Sequence, residues 1–225
     1  MIRRSENGWI DVDRRIESPN HDCRPDNTEI SLLVIHNISL PPNEFEGNYV
    51  DHFFTNRLNP SRHPYFEEIA HLKVSTHFYI DRKGLITQYV SVNLRAWHAG
   101  ESLFENRPRC NDFSIGIELD YNPKGKNNKF SFKMIYSLKK LIFKLQKIYK
   151  INKNNVLAHS DISPFRKKDP GKHFPWQSLS SSNLVMSLKN LKKNEIKIME
   201  KWFKNNNLKL KKQKTILALS LIGYD

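Results

Sequence analysis

Two short runs constrain the fold of this chain more than any other feature: ISLLVIH at 30–36 and FSIGIEL at 113–119. Each is apolar almost throughout and only seven residues long, which reads as a buried strand. In the second run Ile115, Ile117 and Leu119 alternate with Gly116 and Glu118, so a carboxylate stands on the face opposite the apolar one. YVDHFFTNRL has the apolar spacing of a helix. STHFYI and LITQYV flank DRKG, a hairpin signal with Gly84 at the turn. Residues 131–149 read as an amphipathic helix with Ser131 as its N-cap, and NVLAHS as a last strand. Strands and helices in this order predict an α/β domain with a single mixed central β-sheet flanked by helices. That domain is expected over 1–185, followed by a Lys/Asn-rich extension of unknown role at 186–225.

Charge bears on the partner. The chain carries a formal +14, but 186–225 holds ten Lys against Glu195, Glu200 and Asp225, a local +7. Lys is mixed with Asn there, as it is in NPKGKNNKF and YKINKNN, so the excess reads as compositional drift and no nucleic-acid partner is expected. No apolar run reaches the roughly 18 residues of a membrane span, and MIRRSENGWIDVDRR has no apolar signal core. A cytoplasmic monomer without a membrane partner is expected. Cys23 and Cys110 form no CxxC pair and read as semi-buried thiols without function.

Three residues at strand ends and in a loop carry candidate chemistry. His36 closes the first apolar run, His159 closes the last strand, and Asp169 lies ten residues on in a Pro-Gly-bounded loop. Two imidazoles and a carboxylate would hold a zinc ion with one position open for water. Nine histidines allow many such triplets, and a polar residue capping a strand is the plainer reading of each. Glu118 is either a solvated strand residue or a general base at such a site, with Gly116 leaving room for a ligand. Trp97, in RAWHAG, offers a flat face to a sugar or packs into the core, and Arg109 has a fork that can grip a carboxylate.

The stretches SPNHDCRPD, SLLVIHNISLPPNEFEG, HPYFEEIAHLKVSTHFYIDRKGLITQYV, RAWHAG, RCNDFSIGIEL and HSDISPFRKKDPG run from about residue 8 to 176. Together they resemble the type 2 N-acetylmuramoyl-L-alanine amidases, and within them the bacterial cytoplasmic enzymes of anhydromuropeptide recycling. The resemblance implies the fold shared by phage lysozyme-like amidases and peptidoglycan recognition proteins, with a zinc site at one edge of the sheet. It implies zinc held by His36, His159 and Asp169, catalytic roles for Glu118 and Lys167, and substrate contacts from Asn37, Lys73, Trp97 and Arg109. Lys73 stands where the family usually has Arg, which keeps the charge and loses the bidentate fork. The activity implied is hydrolysis of the amide between the lactyl group of 1,6-anhydro-N-acetylmuramic acid and L-alanine, with an anhydromuropeptide as partner. The alternative is a muropeptide-binding module without catalysis, against which all five ligand and catalytic positions are filled.

Overall fold

The structure, a computed structural model, describes residues 7–186 apart from 46 and 124–128, together with positions 197, 200, 201 and 204. The remainder of the Lys/Asn-rich extension lies outside the described residues. In chain order the strands are β1 (Arg14–Arg15), β2 (His21–Cys23), β3 (Leu32–Ile38), β4 (Phe78–Ile80), β5 (Ile86–Gln88), β6 (Leu94–Ala96), β7 (Leu103–Phe104), β8 (Arg107–Pro108), β9 (Ser114–Asp120) and β10 (Val156–Ala158). The helices are α1 (Tyr49–Phe54), α2 (Pro64–Ile69), α3 (Phe132–Tyr149), α4 (His159–Ile162) and α5 (Trp176–Ser180).

Six strands form the main sheet in the order β1-β5-β4-β9-β3-β10. All neighbours are parallel except β4 and β5, which pair antiparallel, so the sheet is mixed as the sequence predicts. The β4–β5 turn has Gly84 at φ 85°, with its N–H on the Asp81 carbonyl at 3.0 Å. β2–β6 and β7–β8 form two separate ribbons. The two apolar runs become β3 and β9, paired along their full length with Ile35 opposite Ile117 and His36 opposite Glu118.

Each face of this central pair has its own cover. Leu33, Ile35, Ile115, Ile117 and Leu119 pack against Met134, Leu138, Leu141, Ile142 and Leu145 of α3, and this core reaches Leu184 and Val185. The α3 start is set by Ser131, whose hydroxyl accepts from the Met134 N–H. On the other face, α1 and α2 pack Phe53, Phe54 and Phe66 onto Tyr79 and Tyr89. A separate cluster joins Val34 to Ala99, Phe104, Cys110 and Ile162. No helix among the described residues is long and apolar enough to cross a membrane.

Four expectations change in detail. His36 does not end its strand, because β3 runs on to Ile38, and His159 is the first residue of α4 rather than the last of β10. The helix expected over YVDHFFTNRL stops at Phe54. Cys110 is buried and Cys23 exposed, both as free thiols.

Candidate metal centre

Parallel strands end on the same side, so the C-terminal ends of β3, β9 and β10 gather residues far apart in sequence. His36 projects from β3 to the same face as its registered neighbour Glu118 on β9. β10 is the edge strand, and the α4 turn that follows it presents His159, steadied by the Ala158 N–H donating to Asp161 Oδ2 at 2.8 Å. Asp169 comes from the loop beyond. That loop is tied back by the Ser160 N–H to the Asp169 carbonyl at 3.0 Å and by Asn37 Nδ2 to the Pro170 carbonyl at 2.8 Å.

Three atoms converge. His36 Nδ1 lies 2.9 Å from His159 Nδ1 and 3.2 Å from Asp169 Oδ2, and His159 Nδ1 lies 3.0 Å from the same carboxylate oxygen. Both histidines are nearly inaccessible, at 1% and 2% exposure. His159 Nε2 faces the Ala99 carbonyl at 3.0 Å. A carbonyl can only accept, so that nitrogen carries the proton and Nδ1 turns a lone pair to the cluster. Lone pairs aimed at one point repel unless a cation or a proton sits among them. Ligands about 2.0–2.1 Å from a tetrahedral ion stand roughly 3.3 Å apart, close to these spacings. The donor set therefore fits a divalent metal, and among the described residues it has three members.

The electrostatics follow from burial. It pushes the His36 imidazolium down to about 4, helped by His159 and opposed by Asp169. Burial alone would raise Asp169, but hydrogen bonds from the two histidines hold it well below the usual carboxylate range. Glu118 is raised well above its ordinary value by burial and by Asp169, with Lys167 opposing. Its Oε2 is buried and has no hydrogen-bond partner. Glu118 is therefore a partly buried residue of the cleft wall, with one carboxylate oxygen out of solvent.

These groups share a cleft of about 280 Å³ lined by His36, Asn37, Trp97, His98, Glu118, His159, Lys167 and Asp169, with Phe53, Phe54, Leu72 and Val74 among the apolar walls. The three consecutive cations before Asp169 divide their work. Arg166 donates to the carbonyls of Ala99 and Glu101, Lys167 faces the cleft, and Lys168 is exposed. Trp97 lines the cleft while its Nε1 donates to Asp22 at 3.1 Å. Lys73 and Arg109 do not line it. Lys73 is exposed between two lining residues, and Arg109 Nε lies 3.3 Å from Asp112.

The profile of the N-acetylmuramoyl-L-alanine amidase family matches residues 26–172. The chain belongs to this family. The amidase is 50% identical over 183 residues to the 1,6-anhydro-N-acetylmuramyl-L-alanine amidase AmpD of Haemophilus influenzae, covering 80% of this chain and 97% of that protein. It superposes on a crystal structure of an AmpD selenomethionine derivative with a TM-score of 0.75 at 46% identity, over 80% of this chain and 98% of the other. It also matches Escherichia coli AmiD, solved in complex with anhydro-N-acetylmuramic acid-L-Ala-D-γ-Glu-L-Lys, at 25% identity and a TM-score of 0.62, over 90% and 75% of the two chains.

Two residues that line or brace the cleft, His98 and Arg24, have no role assigned from the sequence. The space above Gly116 is taken by the His98 ring and not left for a ligand: a Cβ on Gly116 would lie 2.5 Å from it. A glycine inside an apolar strand is a signal of close approach, but it does not say by what. Arg24, whose guanidinium burial pushes down to about 10, donates to the carbonyls of Val92, Asn111, Asp112 and Ser114, bracing the segments that carry His98 and β9.

Proposed function

We propose that this amidase is a zinc enzyme of cytosolic cell-wall recycling, and that it cleaves the amide between the lactyl group of 1,6-anhydro-N-acetylmuramic acid and L-alanine. The observation that carries the reading is the convergence of His36 Nδ1, His159 Nδ1 and Asp169 Oδ2 near Glu118, whose Oε2 is buried without a partner. Two imidazoles and one carboxylate suit zinc, and a three-membered set leaves a coordination position for the reaction. The substrate class is supported by the names of the relatives and by the anhydromuropeptide held by AmiD.

Bound zinc supplies Lewis acidity, polarising a carbonyl and making water a nucleophile near neutral pH. The protein supplies the proton traffic and the charge. Glu118, in register with His36, takes the proton of the attacking water and returns it to the departing L-alanine nitrogen. Its carboxylate sits in a buried setting that favours the protonated form, which suits the second half of that cycle. Lys167 faces the developing oxyanion, a contribution typically of about 3 kcal/mol for one well-placed donor. Trp97 offers its ring to the sugar from the wall of the cleft. Asn37 lines the wall too, with an amide N–H donated to the Pro170 carbonyl. Lys73 and Arg109 meet only those parts of a ligand that extend past the cleft, such as the acidic stem peptide.

The test is metal analysis of the purified chain together with hydrolysis of an anhydromuramyl tripeptide. We expect about one zinc per chain and release of a peptide with a free L-alanine amine. A chain that binds the tripeptide without cleaving it, at full zinc loading, overturns the catalytic reading in favour of a binding module.

A further inference from the structure

We propose that His98 is a positioning residue of the amidase, which accepts the Nε2 proton of His36 and thereby fixes His36 to present Nδ1 to the metal. The proposal rests on the metal reading above and concerns how the site is kept open to a cation.

The two histidines of the cluster are oriented by unlike partners. His159 Nε2 faces the Ala99 carbonyl, which can only accept, so its tautomer is settled by the backbone. His36 Nε2 faces His98 Nδ1 at 2.9 Å, with the rings edge to face at 83°. An imidazole nitrogen can donate or accept, so this contact has two solutions. In the first, His36 carries its proton on Nε2 and donates it to His98. Its Nδ1 lone pair then points at His159 and Asp169, where the metal would be. In the second, His98 donates from Nδ1. The His36 proton then moves to Nδ1 and fills the space between His159 Nδ1 and Asp169 Oδ2. The first arrangement admits a cation and the second replaces it with a proton.

The surroundings of His98 supply what the first arrangement needs. With Nδ1 accepting, its remaining proton sits on Nε2, and that nitrogen finds Ser114 Oγ at 3.2 Å. The ring is held in place from several sides. Asn111 Oδ1 accepts from the backbone N–H groups of both His98 and Ala99, at 3.1 and 2.8 Å. Gly116 makes the room for the ring. His77 packs its ring edge-on at 5.7 Å, itself anchored by the Gly116 N–H on its Nδ1 and by the Leu94 carbonyl at its Nε2. A ligating histidine whose outer nitrogen is satisfied this way is a better metal ligand, and loss of such a partner typically weakens binding about 10–100-fold.

The experiment uses the full chain. On the zinc-loaded parent, histidine nitrogen–proton NMR should place the proton on Nε2 of both His36 and His98. A proton on Nδ1 of His98 overturns the proposal. Zinc affinity is then read by chelator competition. His98→Leu, which keeps bulk but leaves the His36 N–H without an acceptor, should bind zinc roughly 10–100-fold more weakly. His98→Asn, whose carbonyl oxygen falls near the Nδ1 position, should recover most of that loss, which a purely structural role for the ring would not allow. Equal zinc affinity in the parent and His98→Leu overturns the proposal while leaving the metal reading intact. A parent that binds no zinc overturns both. Should His98→Leu fail to fold, the tautomer measurement on the parent alone decides.

Discussion

Two polar clusters on this sheet, one around the buried Asp51 and one around His36, are built in opposite ways. At the α1 side, Asp51 accepts from Arg14 at 2.6 Å and from the Tyr89 hydroxyl, so each of the three groups has a partner of the right kind. At the β3–β10 side, two imidazole nitrogens and a carboxylate turn acceptors toward one another, and a second carboxylate has a buried oxygen with no partner. Buried polar groups that serve stability are satisfied within the protein. A cluster with an excess of acceptors has the composition of a site for positive charge, which is the ground of the zinc proposal. The first cluster is complete within the protein, and the second is arranged as the proposed metal site requires.

Substitutions at the two clusters should therefore separate metal and rate from stability. The largest effect is expected from Asp169→Ala, which takes the only anionic donor from the cluster: zinc content and hydrolysis should both fall to background, and full zinc occupancy by metal analysis would remove Asp169 from the ligand set. Glu118→Gln keeps shape and zinc while removing the base, so turnover of metal-loaded protein should fall roughly a hundredfold or more, with substrate affinity little changed. Lys167→Ala should likewise keep zinc and lose rate.

Asp120 lies two residues beyond Glu118 and is the intermediate case. It is buried beside the Tyr79 hydroxyl, and burial raises its carboxyl from about 3.8 to about 7. Below pH 3.8 both folded and unfolded chains hold its proton. Between 3.8 and 7 the folded chain keeps the proton and the unfolded chain loses it, so stability falls as pH rises through that window. The full difference is about 4 kcal/mol as an upper bound. Asp120→Asn should flatten this slope in denaturant titrations at pH 4 and pH 8, and an unchanged slope would assign it to other groups. The smallest effect is expected in the complete cluster. Arg14→Met leaves Asp51 with Tyr89 alone and should cost about 1 kcal/mol, because Arg14 is half exposed. Its zinc content and turnover should match the parent, and a loss of either would tie this cluster to the site.

The elements that could be read from the sequence are those with a pattern of their own. β3 and β9 are apolar runs, α3 has a 3.6-residue period over 18 residues, and the β4–β5 hairpin has its glycine. β1, β2, β6, β7 and β8 are two or three residues long and have no period to detect; β1, β2 and β6 are strands through pairing with segments distant in sequence, and β7 and β8 through pairing with each other. His36, Glu118, His159, Lys167 and Asp169 all line the cleft, and Asn37 and Trp97 line the same walls. Lys73 and Arg109, which the resemblance places among the substrate contacts, lie outside the cleft lining, and a position in a motif does not say where a side chain points. His98 was passed over because its task is to hold another side chain, and such a task has no signature in residue type or spacing.

The separation of the cluster in the chain has a consequence in time. His36 is 123 residues from His159 and 133 from Asp169. Contacts of that span form slowly, since much of the chain must be ordered before they are rewarded. During synthesis, a nascent chain that has left the ribosome only as far as β9 offers His36 as a lone imidazole on an unfinished sheet. The remaining two donors arrive with the last strand, the turn after it and the loop behind, so capture of the proposed zinc would belong to the end of folding. A chain cut short anywhere before that loop is expected to leave the cellular zinc pool untouched.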